Sequence, residues 1–80
     1  MDITPYVGPA FRHFREMAEL SQEQAALAAG LDRTYVSGIE RSRRNPSLKS
    51  MQRLAAVLNV NLAQVFHEAQ ALADKARLKP

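Results

Sequence analysis

Two short helices joined by a turn with a single glycine restrict the possible folds more than any other feature of this chain. Ser21 begins the order Ser-Gln-Glu-Gln, a capping-box pattern in which two side chains satisfy free backbone N–H groups at a helix start. Gly30 suits the left-handed residue after a helix end, and Asp32 suits the N-cap of the next helix. The pattern predicts helices over residues 22–29 and from 33 to about 41, joined by a tight turn.

Three further helices are predicted outside this pair. The first covers about residues 6–19, and Pro9 places its start nearby because proline is tolerated in the first turn of a helix. Ser47 and Asn61 suit the N-caps of the fourth and fifth helices. The apolar stripes of these three helices are Val7, Phe11, Phe14 and Ala18; Leu48, Met51, Leu54, Ala55 and Leu58; and Leu62, Val65, Phe66, Ala69, Leu72, Ala73 and Ala76. Because the loops are brief and no alternating strand pattern occurs, we expect an all-α fold, a compact five-helix bundle.

Composition excludes several classes of protein. The 80 residues suffice for one domain, and the absence of cysteine excludes disulfides and thiolate metal sites. No apolar run is long enough to cross a bilayer and the N-terminus lacks the pattern of a secretory signal, so we expect a cytoplasmic protein with no membrane partner. His13 and His67 lie too far apart to indicate a metal site, and no nucleophile motif occurs. We therefore expect neither an enzyme nor a cofactor, metal or small-molecule ligand.

Positive charge is concentrated around the predicted third helix. The net charge of the whole chain is only +3, but one short window holds many of its basic residues against Asp32 and Glu40. These basic residues are Arg33, Arg41, Arg43, Arg44 and Lys49. A local excess of this kind is typical of phosphate binding, and a solvated charge run is the alternative interpretation.

The predicted third helix has two different faces. Val36 and Ile39 are spaced to anchor it inward. The polar residues on the opposite face are Arg33, Thr34, Ser37 and Arg41. Arginine side chains fit guanine edges and phosphates, and short hydroxyl side chains reach either, so this face can enter the major groove of DNA.

From Val7 to Phe66 the chain resembles the phage-repressor-type (Xre) helix-turn-helix family. The matching segments are Leu20-Ser21-Gln22-Glu23-Gln24, Ala29-Gly30-Leu31, Ile39-Glu40-Arg41, Arg44-Asn45-Pro46-Ser47-Leu48 and Leu58-Asn59-Val60. Within the family, residues 31–41 together with Arg44-Asn45 are most similar to the controller proteins of restriction–modification systems. The resemblance implies a DNA-binding regulator with a recognition helix at residues 33–41.

The same resemblance implies a role for each polar residue of this region. The residues expected to read base edges are Arg33, Thr34, Ser37 and Arg44. The residues expected to contact the DNA backbone are Gln22, Tyr35, Arg41, Arg43, Asn45 and Ser47. For Tyr35 the sequence leaves two interpretations, a phosphate contact and a core aromatic whose hydroxyl reaches the surface. Base contacts carry sequence information, whereas phosphate contacts fix the register of the protein on DNA.

Three further expectations concern residues inside or beside the helix pair. Arg15 and Glu40 stand where the family usually has a partly buried ion pair, with two solvated charges as the alternative. Ala25 stands where a leucine is usual, so Phe11, Phe14 or Leu27 must fill that volume. Gly38 interrupts the third helix at a cost of about 1 kcal/mol relative to alanine. Without a side chain this position reads no base, and we expect it to permit close approach of the protein backbone to DNA.

The fifth helix carries an apolar stripe that we expect to form a homodimer interface, with residues 61–78 as the dimerisation helix. The interface residues predicted are Val65, Phe66, Ala69 and Leu72, with Ala76 continuing the stripe. A monomer whose C-terminal segment folds back on the first helix is the alternative. In a dimer, two recognition helices about 34 Å apart read a pseudo-palindromic operator.

The predicted function is sequence-specific regulation of transcription by a homodimer bound to double-stranded operator DNA. A restriction–modification controller protein fits the resemblance best. A phage- or plasmid-type repressor and an antitoxin are alternatives within the same class. A helical module that binds another protein through the fifth helix, with the basic loop incidental, is the alternative from a different class.

Overall fold

The computed structural model describes residues 2–78, and five helices run through this part of the chain. They are α1 (Thr4–Met17), α2 (Gln22–Ala29), α3 (Arg33–Glu40), α4 (Leu48–Val57) and α5 (Leu62–Arg77). No strand occurs among the described residues. The all-α class and the five-helix architecture predicted from the sequence are confirmed. Residues 1, 79 and 80 lie outside the described residues.

Side-chain caps begin four of the five helices. Ser21 and Asn61 each form a complete capping box with the glutamine three residues later. The Ser47 hydroxyl accepts a hydrogen bond from the backbone N–H of the third helical residue, 3.0 Å away. Gly30 ends α2 with φ at 69°, a conformation that glycine adopts without steric cost. The helix-turn-helix spacing read from the sequence is therefore present.

The start of α1 differs from the prediction. The helix begins at Thr4, so Pro9 lies in its interior rather than in its first turn. Proline has no N–H to donate to the carbonyl four residues earlier, which here belongs to Pro5. The Ser42 hydroxyl donates to that carbonyl oxygen across 3.0 Å. A side chain from the end of α3 thus replaces the hydrogen bond that Pro9 cannot make.

The core is formed mainly by small and branched side chains around a single buried phenylalanine. Its largest fully buried side chains are Phe11, Val36, Ile39, Leu54 and Val65. The helix pair α1 and α5 contributes an extensive part of this packing. The bundle is closed by α5, which makes this helix part of the protomer's own core.

This closure corrects the predicted dimer interface. Val65 and Ala69 have no exposed surface within the protomer. They cannot add contact area in a dimer, because they already pack in the core cluster with Phe11. Phe66 and Leu72 are half-buried and keep part of their surface for a partner. α5 packs on α1 within the protomer, and this packing is compatible with a dimer as well as with the monomer alternative.

Of the three side chains expected to fill the volume beside Ala25, only Leu27 lies away from the core. Ala25 is fully buried in the same cluster as Phe11, and Phe14 packs against that cluster while half-buried. Leu27 is 83% exposed, so its predicted contribution to the core is wrong. The register of α2 points Leu27 away from the bundle.

Gly8 lies at the contact between α1 and α3. A Cβ atom added at Gly8 would overlap the backbone carbonyl of Ile39. The two helix backbones therefore touch here, which the sequence analysis did not foresee from a glycine near a helix start. This contact fixes the depth at which α3 sits against the bundle.

Candidate nucleic-acid interface

The N-terminal half of α3 presents the predicted base-reading residues at the surface. Arg33 and Thr34 are exposed, and Ser37, one turn further on, is half-exposed. On the opposite side, Val36 and Ile39 are almost completely buried. The alternation follows from the helical period, and it leaves a polar face that is held to the bundle from behind.

The loop after α3 turns back over the helix instead of leading away from it. Ser42 adopts a left-handed conformation with φ at 59°. The backbone N–H groups of Arg43 and Arg44 both donate to the Gly38 carbonyl, at 2.8 and 3.2 Å. These bonds carry the loop past the end of α3 and return Arg44 to the side of the recognition helix.

Arg44 lies directly against α3. Its aliphatic stem covers Gly38, where an added Cβ would stand 2.5 Å from the Arg44 Cγ atom. Its guanidinium carbon is 6.0 Å from the centre of the Tyr35 ring. Arg44 itself is exposed. The predicted fourth base-reading residue therefore lies on the surface of α3, at a contact that was not predicted from the sequence.

The expectation for Gly38 is corrected by the same contact. Gly38 is buried beneath Arg44, so the protein backbone at this position is not open to close approach by DNA. The missing side chain provides space for a neighbouring side chain of the same protein. The tertiary fold, rather than the DNA surface, accounts for glycine inside this helix.

The ion pair predicted between Arg15 and Glu40 is present, and it is nearly enclosed. Arg15 Nε lies 2.6 Å from Glu40 Oε2, and Arg15 Nη2 donates to Glu40 Oε1 across 3.0 Å. A third guanidinium N–H donates to the Leu20 carbonyl, 2.7 Å away. The hydrogen bond to Glu40 raises the pKa of Arg15, against an opposing effect of burial. Glu40 is thereby turned inward, away from the basic surface.

Gln22 belongs to this buried network as well as to the surface. Its side-chain amide donates to Glu40 Oε1 across 3.1 Å, and its side chain is half-exposed at the start of α2. From the sequence, Gln22 was predicted to contact a DNA phosphate, and its bond to Glu40 was not predicted. The structure thus connects the start of α2 to the end of α3 through one carboxylate.

The remaining predicted backbone-contact residues line the loop and the start of α4. Arg41, Arg43 and Asn45 are exposed. The Ser47 hydroxyl is exposed but already serves as the α4 cap, accepting from one N–H and donating to the Ser50 hydroxyl. Tyr35 is half-buried and packs against the core cluster, which accommodates both interpretations given for it.

Among the described residues, no three His, Asp or Glu side chains come together as metal ligands. None of the described helices has the length and apolar character needed to cross a membrane.

The fold and this surface define a helix-turn-helix protein of the phage-repressor type. Residues 11–65 match the helix-turn-helix family, and the chain belongs to that family. The family and the relatives below are DNA-binding regulators.

Similar proteins include several controllers of restriction–modification systems. The chain is 38% identical over 66 residues to control protein C.SmaI of Serratia marcescens, covering 82% of this chain and 79% of that protein. It is 39% identical over 56 residues to control protein C.MunI of a Mycoplasma species, covering 70% of this chain and 76% of that protein.

Solved structures agree with this relationship. The controller protein C.AhdI from Aeromonas hydrophila superposes with a TM-score of 0.76 at 40% identity, over 79% of this chain and 96% of that one. Controller protein C.Esp1396I, solved as a tetramer with its natural 35 base-pair operator, gives a TM-score of 0.78 at 31% identity, over 89% of this chain and 93% of that one.

Proposed function

We propose that this protein is a transcriptional regulator that binds a specific operator through α3 and controls a restriction–modification system. The observation that carries the proposal is the polar face of α3, where exposed arginine and hydroxyl side chains stand opposite the buried Val36 and Ile39. A helix of this form can be inserted into a major groove without disturbing the core. The protein acts in the cytoplasm by binding alone, with no catalysis and no cofactor.

Base reading is assigned to four side chains of α3 and the loop that follows it. They are Arg33, Thr34, Ser37 and Arg44. Arginine pairs bidentately with guanine, and each such pair contributes about 1–3 kcal/mol of discrimination against a wrong base. The two arginines are therefore expected to account for most of the sequence preference, with the hydroxyl groups adding weaker contacts.

Contacts to the DNA backbone fall to the residues around that face. They are Gln22, Tyr35, Arg41, Arg43, Asn45 and Ser47. Gln22 and Ser47 keep part of their hydrogen-bonding capacity for the protein itself, through Glu40 and the α4 cap. The exposed arginines Arg41 and Arg43 are therefore expected to dominate the salt-dependent part of the affinity.

A homodimer follows from the symmetry of operators that such proteins read. Two copies related by a two-fold axis place their α3 helices in successive major grooves, about 34 Å apart. On this chain, the half-buried Phe66 and Leu72 of α5 are the proposed contacts. Phe66 also lines an open groove of 350 Å³ beside the loop after α3, so part of its ring faces outward.

The proposed interface is tested by Leu72→Glu, measured by sedimentation equilibrium. A charge at a dimer contact is expected to yield monomers at concentrations where the wild type is dimeric. Leu27→Glu, at an exposed leucine of α2, is the matched control and is expected to leave the dimer intact. A dimeric Leu72→Glu variant contradicts the α5 interface.

The DNA-binding proposal is tested by selecting duplexes from a random pool and measuring affinity for the enriched duplex and for a scrambled one. Arg33→Ala is expected to reduce the ratio of the two affinities by about 5- to 150-fold, which corresponds to the loss of one bidentate contact. Lys75→Ala removes an equal charge near the end of α5 and is the matched control. A wild-type protein that enriches no duplex rejects the proposal and favours the protein-binding alternative.

A phage repressor remains the second candidate, because one relative is the immunity repressor protein of Bacillus phage phi105. The chain is 32% identical to it over 69 residues, but these cover only 48% of that repressor. The controllers match this chain over most of their own length, which favours the first candidate. A footprint of the protein upstream of its own gene, beside a methyltransferase or endonuclease gene, distinguishes the two.

A further inference from the structure

We propose that Gly38 and Tyr35 together position the Arg44 side chain for base reading, before DNA is bound. We call these two residues the Gly38–Tyr35 platform. Gly38 accommodates the aliphatic stem of Arg44, and the Tyr35 ring lies beneath its guanidinium group. The inference rests on the proposed function, because it assigns a specificity role to residues that need not touch a base.

The space above Gly38 is occupied by the side chain of Arg44. A methyl group at this position would stand 2.5 Å from the Arg44 Cγ atom, 3.5 Å from Cβ and 3.7 Å from Cδ. Carbon atoms in contact are normally about 3.5–4.0 Å apart, so Cγ would have to move. Any residue other than glycine therefore displaces the stem of Arg44 and, with it, the guanidinium group at its end.

Backbone hydrogen bonds to Gly38 hold the loop that carries Arg44. The Gly38 carbonyl accepts hydrogen bonds from both Arg43 and Arg44, and the left-handed Ser42 directs the chain back toward it. The Cα of Arg44 is thus tied to the same residue over which its side chain lies. This double attachment distinguishes Arg44 from an ordinary arginine on a mobile loop.

The ring of Tyr35 lies under the guanidinium group of Arg44. The Arg44 guanidinium carbon is 6.0 Å from the centre of the Tyr35 ring, at the limit of attraction between a cation and an aromatic face. Tyr35 is itself held by the core cluster, so the ring provides a fixed surface. A long arginine loses rotamer freedom on binding DNA, and a side chain already restrained in the free protein loses less.

The first test combines Gly38→Ala with Arg44→Ala on the enriched duplex. The base pair read by Arg44 is defined as the one whose preference Arg44→Ala abolishes. Gly38→Ala is expected to reduce discrimination at that same base pair by about fivefold or more, part of the range for one bidentate arginine contact. In the Arg44→Ala background, Gly38→Ala is expected to cause no further loss, because it acts through Arg44.

Two results overturn the proposal. Unchanged discrimination in Gly38→Ala shows that Arg44 does not need the space. An equal loss of affinity with and without Arg44 shows that Gly38 meets DNA directly. Thermal unfolding of Gly38→Ala without DNA accompanies both measurements, and alanine's higher helix propensity is expected to keep the variant folded.

The second test uses Tyr35 and does not depend on substitution of Gly38. Tyr35→Phe keeps the ring and is expected to preserve discrimination at the Arg44 base pair, even if loss of the hydroxyl lowers overall affinity. Tyr35→Leu removes the aromatic face and is expected to reduce that discrimination. Equal behaviour of the two variants at this base pair contradicts the platform.

A spectroscopic measurement separates failure of this inference from failure of the proposed function. In the free protein, NMR is expected to show ring-current shifts on the Arg44 side-chain protons that persist in Tyr35→Phe and vanish in Tyr35→Leu. Their absence from the wild type overturns the platform even if a duplex is enriched. Their presence in a protein that enriches no duplex rejects the DNA-binding function, and with it the proposed role of the platform.

Discussion

The eight residues of α3 are divided between an inner face and an outer face that serve opposite purposes. The inner face consists of Val36, Ile39 and Glu40, all buried, and Glu40 makes a bidentate contact with Arg15. The outer face begins with Arg33 and is exposed to solvent. Substitutions on the buried inner face are expected to lower the free energy of unfolding substantially. Substitutions on the exposed outer face are expected to change it little.

The inward orientation of Glu40 keeps the acidic group of α3 away from the surface proposed to bind DNA. Glu40 lies one residue before the arginine-rich loop, but it faces Arg15 and Gln22 inside the molecule. The positive potential at the surface is thereby not offset by this carboxylate. The comparison predicts that inner-face substitutions lower stability without changing base preference, and that outer-face substitutions do the reverse.

The largest effect is expected from Glu40→Ala, which leaves the Arg15 guanidinium without its charged partner. Breaking a buried ion pair from one side costs about 3–5 kcal/mol, and urea unfolding measures it. Glu16→Ala breaks the exposed pair between Arg12 and Glu16 and is the matched control, with an expected cost below about 1 kcal/mol. Equal losses in the two variants would show that enclosure of the inner pair is energetically irrelevant.

The next effect is expected from Ile39→Ala, which creates a cavity where α3 packs on the core. Truncation of a buried isoleucine to alanine costs about 2–5 kcal/mol. Leu27→Ala removes an exposed leucine and is expected to change the free energy of unfolding by less than about 0.5 kcal/mol. A folded Ile39→Ala protein that prefers a different duplex would break the distinction between the two faces.

An outer-face effect is expected from Arg43→Ala, which removes a proposed phosphate contact. Affinity for all duplexes should fall together, and the slope of log affinity against log salt should decrease by about 0.9 for one lost phosphate. Titrations over a range of salt concentrations measure this slope, with Lys75→Ala as the control for a remote charge. A selective loss on one duplex would instead assign Arg43 to base reading.

The smallest effect is expected from alkaline pH on the inner pair. Because the hydrogen bonds that Arg15 donates to Glu40 raise the pKa of Arg15, the stabilisation by this pair is complete below the unfolded pKa and is lost as the pH rises through the folded one. Both values lie far above neutrality. The stability difference between wild type and Glu40→Ala should therefore stay constant through neutral and mildly alkaline pH, as urea unfolding at each pH can check.

The caps and the turn were predictable because their signals act over a few residues. Ser21, Gly30 and Asp32 specify α2, its end and the start of α3 almost independently of the rest of the fold. The start of α1 was not predictable in this way. The position of Pro9 predicted a later start. The earlier start is stabilised by the Ser42 hydroxyl, distant in sequence, which donates to the Pro5 carbonyl that Pro9 leaves unbonded.

The sequence predicted which of the proposed site residues lie at the surface, but not their contacts within the protein. Arg33, Thr34 and Ser37 share a face because the helical period places them there. The role of α5 was misjudged at Val65 and Ala69, because an apolar stripe does not state which neighbour covers it. Gln22 was assigned to a DNA phosphate, although its side-chain amide also donates to the buried Glu40.

The sequence by itself determined the helix starts, the glycine turn and the two faces of α3, since each depends on backbone chemistry within one or two turns. Only the tertiary structure decided the depth of α3 at Gly8, the completion of α1 by Ser42 and the placement of Arg44 over Gly38. These contacts join backbone segments whose approach is set by the packing of the whole bundle. A glycine in the sequence can indicate a close approach, but only the folded chain shows which group approaches it.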